Sequence, residues 1–289
     1  MGFWTTILLS ACIASIAATG LFLQIRGGQM NVGMAVFVGI GGYASGALGT
    51  LAGWPPALSI PVAVAIGFLF GAVFAALTLR LHHWFFAVTT LSLSLAAVAA
   101  VGQIGFLGGN LGMTHIPFLT DPVVIVLATV ATTAIAWWLD RSEIGLAVRA
   151  MANDQVLAEV FGVRTRLLRI MTFGLGSAMA ALSGALHAHR FGTYQPNDLG
   201  FHQSLLLFVY VIVGGKHSVW GPLLGTFFLF IVPEVIKVDP QAELIVFGTL
   251  MLLVAVWLPG GIAGAGEAAL RLVRRARSPR GAPVRGTVR

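Results

Sequence analysis

The sequence predicts an all-α fold, a polytopic bundle of about nine transmembrane helices with seven to ten compatible with the pattern. Three observations predict it. Of 289 residues, 57% are hydrophobic and 9% charged, whereas a soluble domain carries about 25% charged residues. Apolar runs repeatedly approach the roughly 20 residues that a helix needs to cross the hydrocarbon core. The alternation over about 10-residue strands that marks a membrane barrel is absent.

The first run, Phe3–Leu23, is uncharged and is read as a retained helix rather than a signal peptide. It has no basic leading region, and a second span follows at once. Gln24–Gln29 reads as a turn. Asn31–Leu51 is the second span, with Gly42 and Gly46 at the four-residue spacing that lets another helix approach closely. Ala57–Leu79 is the third, with Gly67, Gly71 and Ala75 as a second small-residue stripe. Phe85–Leu107 is the fourth, and its hydroxyls, Thr89 among them, either bond back to the helix or line a polar path. Gly108–Asp121, which includes Asn110, is a glycine-rich loop.

Pro122–Leu139 is the fifth span and Ile170–Ala188 the sixth, the latter carrying Gly176, Ala180 and Gly184. Phe191–Gln203 reads as a polar loop. Ser204–Val213 is short for a span, and Gly214–Ser218 breaks it before Val219–Ile236 resumes. The pair is read as two crossings, with a re-entrant hairpin as the alternative. Leu244–Leu258 is the last span. Residues 1–265 thus form the transmembrane domain, with 140–169 inserted, and 266–289 a basic, partly disordered tail.

The insert Asp140–Arg169 is the one long polar stretch between apolar blocks. In it Asn153 reads as a helix N-cap, with Asp154 favoured at the positive end of the helix dipole. Val156, Leu157, Val160 and Phe161 form one apolar face of a short helix that also contains Ala158 and Glu159. Gly162 follows, where a left-handed residue ends a helix. The helix either lies on the lipid surface or docks a soluble partner.

Seven of the 17 basic residues lie in Arg271–Arg289 and five in the insert. Cytoplasmic loops collect such residues, so both segments are expected inside, with Met1 outside. The same distribution accounts for the net charge of +7 without a nucleic acid partner. Gly215-Lys216 lacks the glycine of a phosphate loop five residues earlier, where Tyr210 stands. No metal or cofactor site is expected. Acidic residues are nearly absent from the spans, which argues against a proton-coupled carrier. A membrane-embedded enzyme would need a convergent set among His82, His83, His187 and His189. His187 and His189 are two apart and point to different sides of a helix. The polar residues Gln29, Asn31, Thr89 and Asn110 are the candidates for lining a pathway, with helix packing as the competing role.

Four stretches in order carry a resemblance: GGQMNVGMAVFVGIGGYASGAL (Gly27–Leu48), GGNLGM (Gly108–Met113), Arg149–Val163 and IVGGKHSVWGPLLG (Ile212–Gly225). Together they resemble the LivM-type permease subunits of ABC importers for branched-chain amino acids. Lys216-His217 departs from the small or apolar residues usual in that family, whose members commonly carry one further helix before the one at Phe3. The resemblance implies a type II-like importer half-channel in a bacterial inner membrane. It implies a second, LivH-like permease, two cytoplasmic ATPases that bind the ATP, and a periplasmic or lipoprotein solute-binding protein. It also implies that 153–162 is the helix coupling the ATPases to the spans. A stand-alone carrier or channel is the alternative.

Overall fold

The computed structural model describes residues 2–81, 83–119 and 121–236, together with 248–249, 252 and 261–264. His82, the turn Lys237–Glu243, most of the expected last span Leu244–Leu258 and the tail 266–289 lie outside the described residues.

Ten helices follow one another over the continuous part: α1 (Phe3–Arg26), α2 (Met34–Thr50), α3 (Pro56–Thr78), α4 (His83–Gln103), α5 (Pro122–Arg141), α6 (Glu143–Asn153), α7 (Gln155–Val160), α8 (Thr165–Phe191), α9 (Phe201–Gly214) and α10 (Gly221–Ile236). Of these, α1, α3, α4, α5 and α8 are long and apolar enough to cross a membrane. The apolar helices α2, α9 and the Gly221–Val232 part of α10 are shorter.

Helix α8 is the axis of the bundle, and its small residues explain why. Gly176 meets Gly20 of α1 backbone to backbone, and a Cβ on either would overlap the other's carbonyl. Gly184 lies under the Val38 carbonyl of α2, and Ala181 sits against Gly41. Gly67 and Gly71 of α3 lie against Ala181 and Ser177. Lipid supplies no hydrophobic drive for helices to associate, so close backbone approach and the dispersion contacts it brings hold α1, α2, α3 and α8 together. A four-ring cluster fills the gap beside them. Phe173 of α8 stands edge-on to Phe37 at 5.2 Å and to Phe86 at 5.5 Å, and stacks on Phe74 at 5.8 Å.

Two stretches differ from their sequence reading. The turn at Gln24–Gln29 begins later, since Gln24 and Arg26 are helical, and it continues as an irregular segment to Gly33. That segment is buried, with Gln29 and Asn31 almost wholly enclosed. The segment Phe191–Gln203 is more than a surface loop. Its turn Pro196–Leu199 inserts into the bundle, with Leu199 against Gly39 midway along α2. Ser94 of α4 donates to the Leu199 carbonyl at 2.6 Å. The start of this segment and the end of α8 are stitched to 113–119 by main-chain bonds, Met113 with Tyr194 in both directions at 2.8 and 2.9 Å, Ile116 to Gly192, and Leu119 to His189.

Helices α9 and α10 form a hairpin around Gly215–Trp220, not one interrupted helix. Gly214, Gly221 and Gly225 let the two backbones touch, and the Tyr210 ring lies 5.8 Å from that of Phe230. Arg26 at the end of α1 donates to the His217 carbonyl at 3.0 Å. The hairpin tip therefore lies at the same end of the molecule as α6 and α7.

Candidate functional site

The insert folds as two helices, and its cap falls one residue later than the sequence suggested. Asn153 closes α6, and Asp154 caps α7, its Oδ1 accepting the Leu157 amide at 3.0 Å. Asp154 wins because the chain needs one extended residue between two helices, and it sits there with φ −149° and ψ 106°. Gly162 takes φ +81° just beyond α7, a conformation that costs a Cβ-bearing residue about 1 kcal/mol or more. Arg166 and Arg169 belong to α8, which begins at Thr165.

Only Ala158 of α7 faces inward, at 4% exposure. Val156, Val160 and Phe161 are 73–77% exposed and Leu157 53%. Apolar side chains exposed along the helices of the bundle meet lipid. These four stand at the polar end among arginines, an exposed apolar patch of the kind that meets either a membrane surface or a protein partner. The opposite side of α7 is tethered. Thr165 donates to Glu159 Oε1 at 2.5 Å, Gln155 donates to the same oxygen at 3.1 Å, and Arg169 donates to Gln155 Oε1 at 3.4 Å. The Thr165 hydroxyl, and then the Gln155 amide, favour the ionised carboxylate and lower the Glu159 pKa. With its folded pKa lowered, the tie is complete above the ordinary glutamate range and is lost as pH falls through the lowered value.

Asp140, at the end of α5, is a second junction that the sequence reading did not single out. Its Oδ1 lies 3.1 Å from Arg26 of α1 and 2.9 Å from Arg149 of α6, and Arg149 also donates to the Asp140 carbonyl at 2.6 Å. One carboxylate thus binds α1, α5 and α6. The Asp140→Ala variant leaves two half-buried guanidinium groups unmatched. Its expected cost is about 1–2 kcal/mol, between an exposed and a fully buried pair, read as a lower Tm in detergent. An unchanged Tm would contradict this role.

The four pathway candidates separate in space. Asn31 is fully buried, donating to Gln24 Oε1 at 2.8 Å and accepting the Gly33 amide at 2.9 Å. Gln24, not anticipated as a site residue, donates on to the Phe173 carbonyl and Ser177 Oγ, both at 3.2 Å. Thr90, the neighbour of candidate Thr89, accepts the Val32 amide at 3.1 Å, and Ser204 accepts that of Ala35 at 3.0 Å. These bonds satisfy a non-helical backbone inside the bundle, as apolar surroundings require. Gln29 is buried nearby, with its Oε1 lacking a partner among the described residues. Thr89 is half-buried and donates back to the Phe85 carbonyl at 2.7 Å. Asn110 is exposed beside Gly102 at the far end.

The histidines on α8 do diverge. His189 Nε2 lies 2.7 Å from Ser45 Oγ and 3.1 Å from Ser59 Oγ, while Nδ1 lies 2.7 Å from the Pro117 carbonyl. The carbonyl fixes Nδ1 as the donor, so Nε2 accepts from a serine. With His189 fully buried, this histidine and its two serines join α2, α3, α8 and the 113–119 segment, and offer no room to a substrate. His187 instead faces a cavity of about 250 Å³ between α1, α2, α8, α9, α10 and the 191–203 segment. Among the described residues no cluster of three or more metal-ligating side chains occurs.

A family model described as branched-chain amino acid transport system / permease component matches residues 3–255. The chain is similar to the LivM permease protein of the high-affinity branched-chain amino acid transport system of Escherichia coli (strain K12). The two are 24% identical over 274 residues, covering 81% of this chain and 64% of that protein. The LivH permease protein of the same organism is 30% identical over 147 residues, or 50% of this chain and 47% of LivH. A probable LivM permease protein of Methanocaldococcus jannaschii is 24% identical over 302 residues, covering 88% of this chain and 83% of that protein. The chain thus spans less than two thirds of the length of either Escherichia coli relative. No solved structure matches it.

Proposed function

The chain belongs to the branched-chain amino acid transport permease family and is a multi-pass membrane protein, and from that premise we propose that it forms half of the translocation pathway of an ABC importer. The solute is a branched-chain amino acid or a related small polar molecule. The other half of the pathway comes from a second, LivH-like permease. Two cytoplasmic ATPases bind and hydrolyse the ATP, and an external binding protein delivers the solute. The chain itself performs no catalysis.

The observation that carries this reading is the α7 face. Four apolar side chains stand exposed at the polar end, on a helix held from behind by Glu159–Thr165 and Gln155–Arg169. Force applied to that face reaches α8 through Thr165 and Arg169. Through α6, Arg149 and Asp140 it also reaches α5 and α1. Because α8 packs against α1, α2 and α3, tilting it re-aims the bundle, the rigid-body motion that alternating access needs. The five arginines of the insert support a cytoplasmic position for α6 and α7, and the seven basic residues of Arg271–Arg289 support the same side for the tail.

The test is uptake of labelled leucine by proteoliposomes. With the second permease, the ATPases and the binding protein present, uptake is expected to require ATP. Accumulation by the chain alone, without ATP, would instead make it a stand-alone carrier.

A further inference from the structure

The 191–203 segment brings a carboxylate to the wall of a cavity in an otherwise apolar bundle. Asp198 is partly exposed and precedes Leu199, which packs against Gly39 of α2; its Oδ2 accepts the Gln195 amide at 3.0 Å. A carboxylate that faces a cavity between membrane helices marks a candidate site. It lines the cavity that His187 faces, together with Gln203 of α9 and Ser10 of α1. His187 Nδ1 is buried without a hydrogen-bond partner among the described residues. An unsatisfied buried nitrogen calls for an explanation, and a ligand atom supplies one. Ser183 spends its hydroxyl on the Ile13 carbonyl at 2.7 Å, and the rest of the wall is aliphatic or aromatic, with Ile13, Leu207 and Phe230. Its volume of about 250 Å³ is close to the small end of ligand sites, roughly 300–1,000 Å³.

We propose that this cavity is a solute site within the permease itself, built for a small zwitterion with an aliphatic side chain. Asp198 receives the ammonium group. His187, Gln203 and Ser10 offer neutral hydrogen bonds to the carboxylate, and Ile13, Leu207 and Phe230 enclose the side chain. The inference rests on the transport reading and adds to it that the chain, and not only a binding protein, inspects the solute. Neutral donors suit the carboxylate because a cation there would compete for Asp198. Apolar surroundings strengthen the ammonium–carboxylate attraction beyond its value in water.

The experiment uses the full chain in vesicles with its partner subunits. An Ala14→Cys reporter, on the wall of the cavity, in a Cys12→Ser background is labelled by a membrane-permeant thiol reagent. L-leucine at about ten times its Kd is expected to slow labelling about tenfold. Isocaproate, which has the same side chain and carboxylate without the ammonium, is expected not to. Asp198→Asn is expected to abolish protection while leaving the unprotected labelling rate as it was, which shows the cavity intact, and Asp198→Glu to restore part of it. Equal protection by isocaproate, or protection that survives Asp198→Asn, would overturn the assignment. So would unchanged labelling with leucine in vesicles that still take leucine up, and the transport reading would then stand. Vesicles that take up no leucine at all would overturn both.

Discussion

Replacing Val160 with Asp is expected to abolish ATP-driven uptake while the chain still folds. Val160 is 76% exposed, so the substitution changes chain stability by no more than about 0.5 kcal/mol. In a docked complex the same position is the centre of an apolar patch with Val156 and Phe161. Burying a carboxylate there, unpaired, costs about 2 kcal/mol or more, roughly a thirtyfold weaker Kd. Gly162→Pro attacks the same element through the backbone. Gly162 holds φ +81° and its amide donates to the Glu159 carbonyl at 2.9 Å. Proline supplies neither that angle nor that donor. Both variants are to be compared with the unaltered chain for uptake and for thermal unfolding. Normal uptake by Val160→Asp would remove the coupling role from α7.

Gly184→Ala is expected to separate α2 from α8 by the addition of a single methyl group. The added Cβ overlaps the Val38 carbonyl, an atom of a rigid helix backbone that no rotamer change can move aside. Helices α2 and α8 must separate, which unpacks the contacts beside Gly41 and the Phe37–Phe173 pair as well. The expected cost is on the order of 1–3 kcal/mol, seen as a lower Tm in detergent and a reduced yield of folded chain. Gly105→Ala is the control, because a Cβ there meets no neighbouring atom within 4 Å. Equal Tm values for the two variants would show that close backbone approach does not hold α8 in place.

The span pattern was legible because lipid imposes a simple rule on each crossing segment: about 20 apolar residues, read locally. The small-residue stripes were legible for the same reason, since Gly67, Gly71, Gly176 and Gly184 repeat at helical spacing. The apolar stripe of α7 and its terminal Gly162 were also visible as local patterns. The cap was misplaced by one residue because Asn153 and Asp154 are both good caps. Which of them serves depends on α6 running up to Asn153, and that is set by packing of Gly145, Val148 and Met151.

The rest depends on contacts distant in sequence. Nothing local tells that Gln24 reaches Ser177, that Asp140 gathers Arg26 and Arg149, or that Asp198 turns into the bundle on Leu199. A loop rich in Pro, Asn and Asp looks the same whether it lies in water or folds inward against Gly39. The signal available was modest. Tyr194, Pro196 and Leu199 are bulky apolar residues in a segment otherwise read as polar, and all three are buried.

The most direct test of the central claim is purification of the tagged full chain from its native membrane in mild detergent, with mass spectrometry of the proteins that accompany it. The unaltered chain is predicted to bring an ABC ATPase and a second permease. With Val160→Asp the ATPase is predicted to be lost and the second permease retained. Recovery of the chain alone, or an ATPase held equally by both forms, would contradict the assignment of α7 as the surface through which this permease is driven.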